Sequence, residues 1–229
     1  MTALGEHADL PAVSHIDGAL APLAQVRFAP APARGRRGRR GTPPCPYDES
    51  ITFGGTVPTR ERNVHDLMNA LVWAVFPRSK RALHARQHEL VTRAGRPRHG
   101  ESQSRTREGD ALAMLDEGGL LVLAARARAH EVEASCRGRD AEGVAAITRA
   151  GEARAIAFGH ALYEHVARAL AITPLGMTVV LPVDAPVSAV PLVEVDRQLA
   201  SMIEDRSLFL ENGVFGSIPF ASSVWGEDR

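Results

Sequence analysis

Histidines and carboxylates spaced one helical turn apart are the residues of this chain best equipped for chemistry. In "AFGHALYEHVARAL", residues 157–170, His160, Glu164 and Arg168 recur at i, i+4 and i+8 beside an apolar stripe of Phe158, Leu162, Val166 and Ala169. A histidine and a carboxylate so placed can share a metal ion, or the carboxylate can fix the imidazole tautomer and raise its basicity. The plainer alternative is a surface Glu164–Arg168 pair with His160 merely adjacent, a decoration contributing about 0.3 to 0.5 kcal/mol. Gly159 weighs toward function. Inside a helix a glycine costs roughly 1 kcal/mol against Ala, and a close backbone or ligand is the usual reason to carry it.

A second set lies in "NVHDLMNALVWAVF", residues 63–76, where His65, Asn69 and Trp73 form a stripe beside the apolar face Val64, Leu67, Met68, Leu71, Val72 and Val75. His65, Asp66, His160 and Glu164 are therefore the candidate catalytic residues. If the two helices meet, His65, His160 and Glu164 are candidate ligands of a divalent metal. Candidate substrate-binding residues are Arg60 and Arg62, whose guanidiniums suit an anionic group, Asn69 and Trp73 on the polar stripe, and Asp110. Each has a structural alternative: Asp66 as a helix cap, the arginines in salt bridges, Asp110 as a strand start, and Asp116 as a turn residue. His84 and His88 also stand four apart, on a basic helix where solvation is the expected fate. No Gly-rich phosphate loop, dinucleotide fingerprint, nucleophile elbow or zinc-ribbon spacing is present.

The elements that must position these residues read as α+β, mainly helical with a small antiparallel sheet. Asn63 caps a helix over 63–76, with Asp66 at its third position, and Pro77 ends it or begins the next, expected over 78–91. "DALAMLDEGGLLVLAARA" reads as a β-hairpin over 111–125, both strands apolar and so covered on both faces. Further helices are expected near 141–149 and 155–170, a third strand at 177–183, and a short amphipathic helix in "EVDRQLASMIED". Residues 1–46 read as a flexible extension ending in the linker "PAPARGRRGRRGTPPCP", and 47–229 as a single globular domain.

Composition bounds the rest. The 229 residues are 45% hydrophobic, enough for a sizeable core, and 27 basic residues balance 27 acidic ones, so no global field draws the chain to nucleic acid or membrane. The balance is uneven locally, with a basic stretch from Arg78 to Arg107 and an acidic tail after Ala171. The two cysteines have no metal-site spacing and form no disulfide framework, which fits a reducing cytoplasm. The start lacks a secretory pattern, and the most apolar C-terminal stretch is broken by Asp184 and prolines, so no membrane span is expected.

Three blocks carry a family likeness: "YDESITFGGTVPTRERNVHDLMNALVWAVFPRSKRAL", "DALAMLDEGG" and "FGHALYE". In their Val-Pro-Thr-Arg turn, His-Asp helix start and Phe-Gly-His-Ala they resemble a bacterial family catalogued as domain of unknown function 3025. The resemblance implies a shared fold and a shared site. It brings no activity with it.

Three functional readings follow. The first is a small cytoplasmic enzyme, metal-dependent or acid-base and hydrolytic, with a two-helix His/Asp/Glu site and a divalent metal as its candidate cofactor. The second is a nucleic-acid or anion-binding module using the Arg-rich arm and basic middle. The third is a partner-binding protein whose polar stripes form an interface.

Overall fold

The computed structural model describes residues 9–32, 47–94, 106–168, 175–205 and 216–219. Helix α1 (Val13–Ala24) and strand β1 (Arg27–Pro30) come first, then α2 (Tyr47–Gly54), β2 (Thr56–Thr59), α3 (Val64–Val75) and α4 (Pro77–Ala94). Helix α5 (Arg107–Gly118) runs straight into β3 (Gly119–Ala125). After it come α6 (Ala129–Gly138), α7 (Ala141–Arg149), β4 (Ala153–Ala157), α8 (His160–Ala167), β5 (Leu175–Val183), α9 (Leu192–Glu204) and β6 (Gly216–Pro219).

Two sheets replace the expected hairpin sheet. One is a parallel pair, β1 beside β2; the other is a four-stranded mixed sheet in the order β4-β3-β5-β6. In it β3 runs antiparallel to β4 and parallel to β5, and β5 runs antiparallel to β6. The hairpin over 111–125 is thus incorrect in its first half. Leu112 and Leu115, three apart, are the buried residues of a helix, while Met114 between them is exposed. Thr106 caps that helix, accepting from Gly109 N at 3.0 Å, and the glycines after Glu117 mark a helix end rather than a hairpin turn. The segment expected as helix from 155 also begins as strand, β4, because Ala153–Ala157 pairs along the edge of β3.

Strand β3 is buried on both faces, and its alternation sorts the core. Leu121 and Leu123 pack with Phe76, Leu83, Leu112, Leu115, Phe158, Leu199 and Ile203 on the face covered by α4, α5 and α9. Val122 and Ala124 face α6 and α7 through Val132, Cys136, Val144 and Ile147. A third cluster joins α1, the small sheet and α3 through Val13, Ile16, Phe28, Val57, Ala70 and Trp73, so residues 13–30 of the segment read as a loose extension are folded onto α3.

Helix α3 forms as expected, with Asn63 Oδ1 accepting from Asp66 N at 3.0 Å. Its buried face is rotated from the purely apolar one. Asn69 and Trp73 turn inward while Leu71 and Val75 are 43% and 42% exposed. Pro77 opens α4 at the position where its missing N–H costs nothing. The next donors, Arg78 N and Ser79 N, reach the buried carboxylate of Asp196 on α9 at 3.1 and 2.8 Å. This cap pins α4 and with it Lys80.

Candidate functional site

The C-terminal turn of α5, the N-terminal turn of α8 and the first turns of α3 meet at a pocket of about 300 Å³. Two chain features set up the junction. The Asn63 cap starts α3 so that His65 falls in its first turn, pointing toward α8, with Asn69 and Trp73 successively deeper on the same stripe. Gly159 is the N-cap of α8, and a Cβ there would lie 2.4 Å from Glu117 O and Gly119 N. Glycine therefore lets the start of α8 lie directly against the α5–β3 turn, which brings His160 beside Glu117. Its neighbour is packed backbone, and Gly159 is not inside the helix as the sequence reading had it.

The imidazoles of His65 and His160 meet edge to face, with Nε2 to Nε2 at 3.0 Å. Glu117 Oε2 stands 3.3 Å from His160 Nε2 and 4.0 Å from His65 Nε2. Three potential ligand atoms thus lie within 4.8 Å of one another. The far nitrogen of each ring also faces a carboxylate. His65 Nδ1 is 2.9 Å from Glu164 Oε2, and His160 Nδ1 is 3.9 Å from Asp116 Oδ1. Glu164 in turn holds Arg168 Nε at 3.0 Å, so the expected helical pair and the contact to histidine coexist.

The carboxylates of this junction are paired with cations, except one. Asp66 takes Arg60 through its backbone N, Nε and Nη2, and Asp116 takes the Lys80 ammonium. Glu117 contacts only the two imidazoles among the described ion pairs. It and Asp116 sit in the last turn of α5, where the helix dipole disfavours negative charge. Burial opposes the Asp116 charge too, but Lys80, His84 and His160 outweigh it and hold its carboxyl at about 2. Burial raises Glu117 above the usual carboxylate range. His160, 3% exposed, is pushed down to about 4 by burial, and its place at a helix N-terminus acts in the same direction.

Of the residues named from the sequence, His65, Asp66, Asn69, Arg60 and His160 line the pocket. Glu164 stands behind His65, and Trp73 is fully buried beneath the site, stacked on His84 with ring centroids 5.6 Å apart and planes within 5°. Arg62 takes a left-handed φ of 49° in the turn before α3, and Asp110 is exposed in the first turn of α5; neither lines the pocket. Sequence reasoning left Glu117, Lys80 and Tyr47 out of the candidate site and gave Asp116 only a turn role. The signal for Asp116 and Glu117 was two acids against a glycine pair, which also marks a helix C-terminus; for Lys80 it was the single lysine of the chain. His84, expected to be solvated, is buried against Trp73 and Asp48.

Among the described residues of the basic stretch, Arg86 is buried and paired with Glu108, and Arg93 pairs with Glu89. The Arg-rich arm near Arg34 to Arg40 lies outside the described residues. None of the described helices is long and apolar enough to cross a membrane.

All the pocket residues except Ala31 fall inside the three blocks that carry the family likeness. No curated protein and no solved structure matches the chain. The profile of one family, described as protein of unknown function (DUF3025), matches residues 38–225, and the chain belongs to that family.

Proposed function

We propose that this protein is a metal-dependent hydrolytic enzyme in which His65, His160 and Glu117 hold a divalent first-row cation. The observation that carries this reading is the convergence of their Nε2, Nε2 and Oε2 atoms at 3.0, 3.3 and 4.0 Å. Around a tetrahedral ion with ligand bonds near 2.0 to 2.1 Å, donor atoms stand about 3.3 Å apart. Two neutral imidazoles and one carboxylate suit zinc and leave a fourth position for water or substrate. Charge supports the same choice, since Glu117 is the carboxylate of the junction without a Lys or Arg among its described contacts. A cation between the imidazoles would supply it.

In this arrangement Glu164 acts through His65, fixing its tautomer so that Nε2 offers a lone pair, the usual role of a carboxylate behind a metal-bound histidine. When bound, the ion lowers the pKa of a coordinated water toward neutrality and polarises a substrate oxygen. Arg60, with Nε and Nη2 held on Asp66, lines the same pocket and can meet an anionic substrate group. The volume suits a small molecule or the end of a larger one.

The 3.0 Å Nε2–Nε2 distance also supports a metal-free alternative, a hydrogen bond between the rings serving acid-base chemistry. Zinc titration separates the two. The metal reading expects one equivalent bound by the purified protein and loss of that binding in Glu117→Ala and His160→Ala. Wild-type protein that takes up no zinc, cobalt or manganese would leave the acid-base reading standing alone.

A further inference from the structure

Lys80 is the only lysine in a chain otherwise supplied with arginine, and its side chain is fully buried. Its ammonium donates to Asn69 Oδ1 at 2.8 Å and to Asp116, and it lies 5.7 Å from the centre of the Trp73 ring. An ammonium has donors and no acceptor, so the oxygen of the Asn69 amide must face Lys80. The amide nitrogen then faces Tyr47, and Asn69 Nδ2 donates to the Tyr47 hydroxyl at 3.1 Å. Tyr47 is forced to be the acceptor in that bond. Its own O–H proton must point elsewhere, and among the described residues it meets no acceptor.

The other tyrosine is an internal contrast, because Tyr163 donates its proton to Ala157 O at 2.7 Å. Tyr47 instead lines the pocket that His65, His160 and Glu117 share. Tyr47 as a whole is 39% exposed, but desolvation of its phenol group and the nearby Asp116 charge raise it above its ordinary range, which keeps the proton in place at neutral pH.

We propose that Tyr47 is the hydrogen-bond donor to a substrate oxygen that gains negative charge during the reaction, so that the site takes a carbonyl or phosphoryl substrate. The assignment of the reaction rests on the metal reading above; the direction of the Tyr47 proton does not, since Lys80 and Asn69 fix it. A phenol aimed at a developing oxyanion acts as other preorganised donors do.

The test uses the two-tyrosine composition. Protein labelled at tyrosine 13Cζ gives two resonances, which Tyr163→Phe assigns, and it is titrated with inorganic phosphate and with acetate, with and without one equivalent of zinc. The expected result is a saturable shift of the Tyr47 signal with Tyr163 unmoved, and an anion affinity about ten- to a hundredfold weaker in Tyr47→Phe at unchanged zinc affinity. Preference for tetrahedral phosphate assigns a phosphoryl substrate, and preference for planar acetate an acyl one. Anion binding that leaves the Tyr47 signal in place, equal affinity in Tyr47→Phe, or no binding of either anion would overturn the proposal. If the protein binds no zinc but phosphate still shifts Tyr47, the metal reading fails and this inference stands.

Discussion

Two histidine–carboxylate pairs in this protein are joined through Nδ1. His65 and Glu164 meet at 2.9 Å through Nδ1, and His84 and Asp48 do the same at the same distance. The pairs part company at Nε2. That of His65 faces His160 and Glu117 at a pocket wall, while that of His84 is buried under Trp73 with no hydrogen-bond partner among the described residues. A carboxylate behind an imidazole is therefore not what distinguishes a site. What the other ring nitrogen can reach decides between ligation and support.

The contrast breaks most sharply by truncation. His65→Ala or His160→Ala is expected to abolish stoichiometric zinc binding, measured by calorimetry, while His84→Ala leaves zinc affinity within about threefold. His84→Ala is expected instead to cost about 2 to 4 kcal/mol in chemical denaturation, because it strands Asp48 and opens a cavity against Trp73. If His84→Ala lost zinc as fully as His65→Ala, the division of roles would be wrong.

The third imidazole, His160, responds to acid. Burial holds His160 neutral down to about pH 4, whereas an unfolded chain takes up that proton near pH 6.5. Between those values the unfolded state binds more protons, so zinc-free protein loses stability as pH falls through the window, by up to about 3 kcal/mol. His160→Asn should flatten that part of a melting-temperature profile.

Smaller effects sharpen the picture. Glu164→Gln should weaken zinc binding about ten- to a hundredfold without abolishing it, the usual cost of a lost carboxylate behind a ligating histidine. Leu71→Ser, on the outward side of α3, should change stability by no more than about 0.5 kcal/mol. A loss several times larger would mean that the face pairing with solvent has been misassigned.

The sequence made parts of this legible for local reasons and concealed others for tertiary ones. The α3 start was readable because an Asn cap and a turn of acid are local chemistry, and the His65–Asn69–Trp73 stripe was readable because helical spacing is. Its burial was not, since an apolar face ending in Leu71 and Val75 looks like the core side until α1 and the small sheet cover Trp73 instead. The α5–β3 junction was misread because two acids and two glycines fit a hairpin turn as well as a helix end. With the hairpin went Glu117, whose place beside His160 depends on that helix end and on the Gly159 contact. Gly159 itself was flagged correctly as a point of close approach, but what approaches is the backbone of residues 117–119. Lys80 needed the fold, since only packing of α3, α4 and α5 places its ammonium between Asn69 and Asp116.

X-ray absorption at the zinc edge tests the central claim most directly. For wild-type protein loaded with one equivalent, the expected first shell is two imidazole nitrogens with oxygen donors at about 2.0 to 2.1 Å, whereas His160→Ala should retain no stoichiometric zinc to give that spectrum. A wild-type spectrum without imidazole scattering, or one unchanged by His160→Ala, would contradict it.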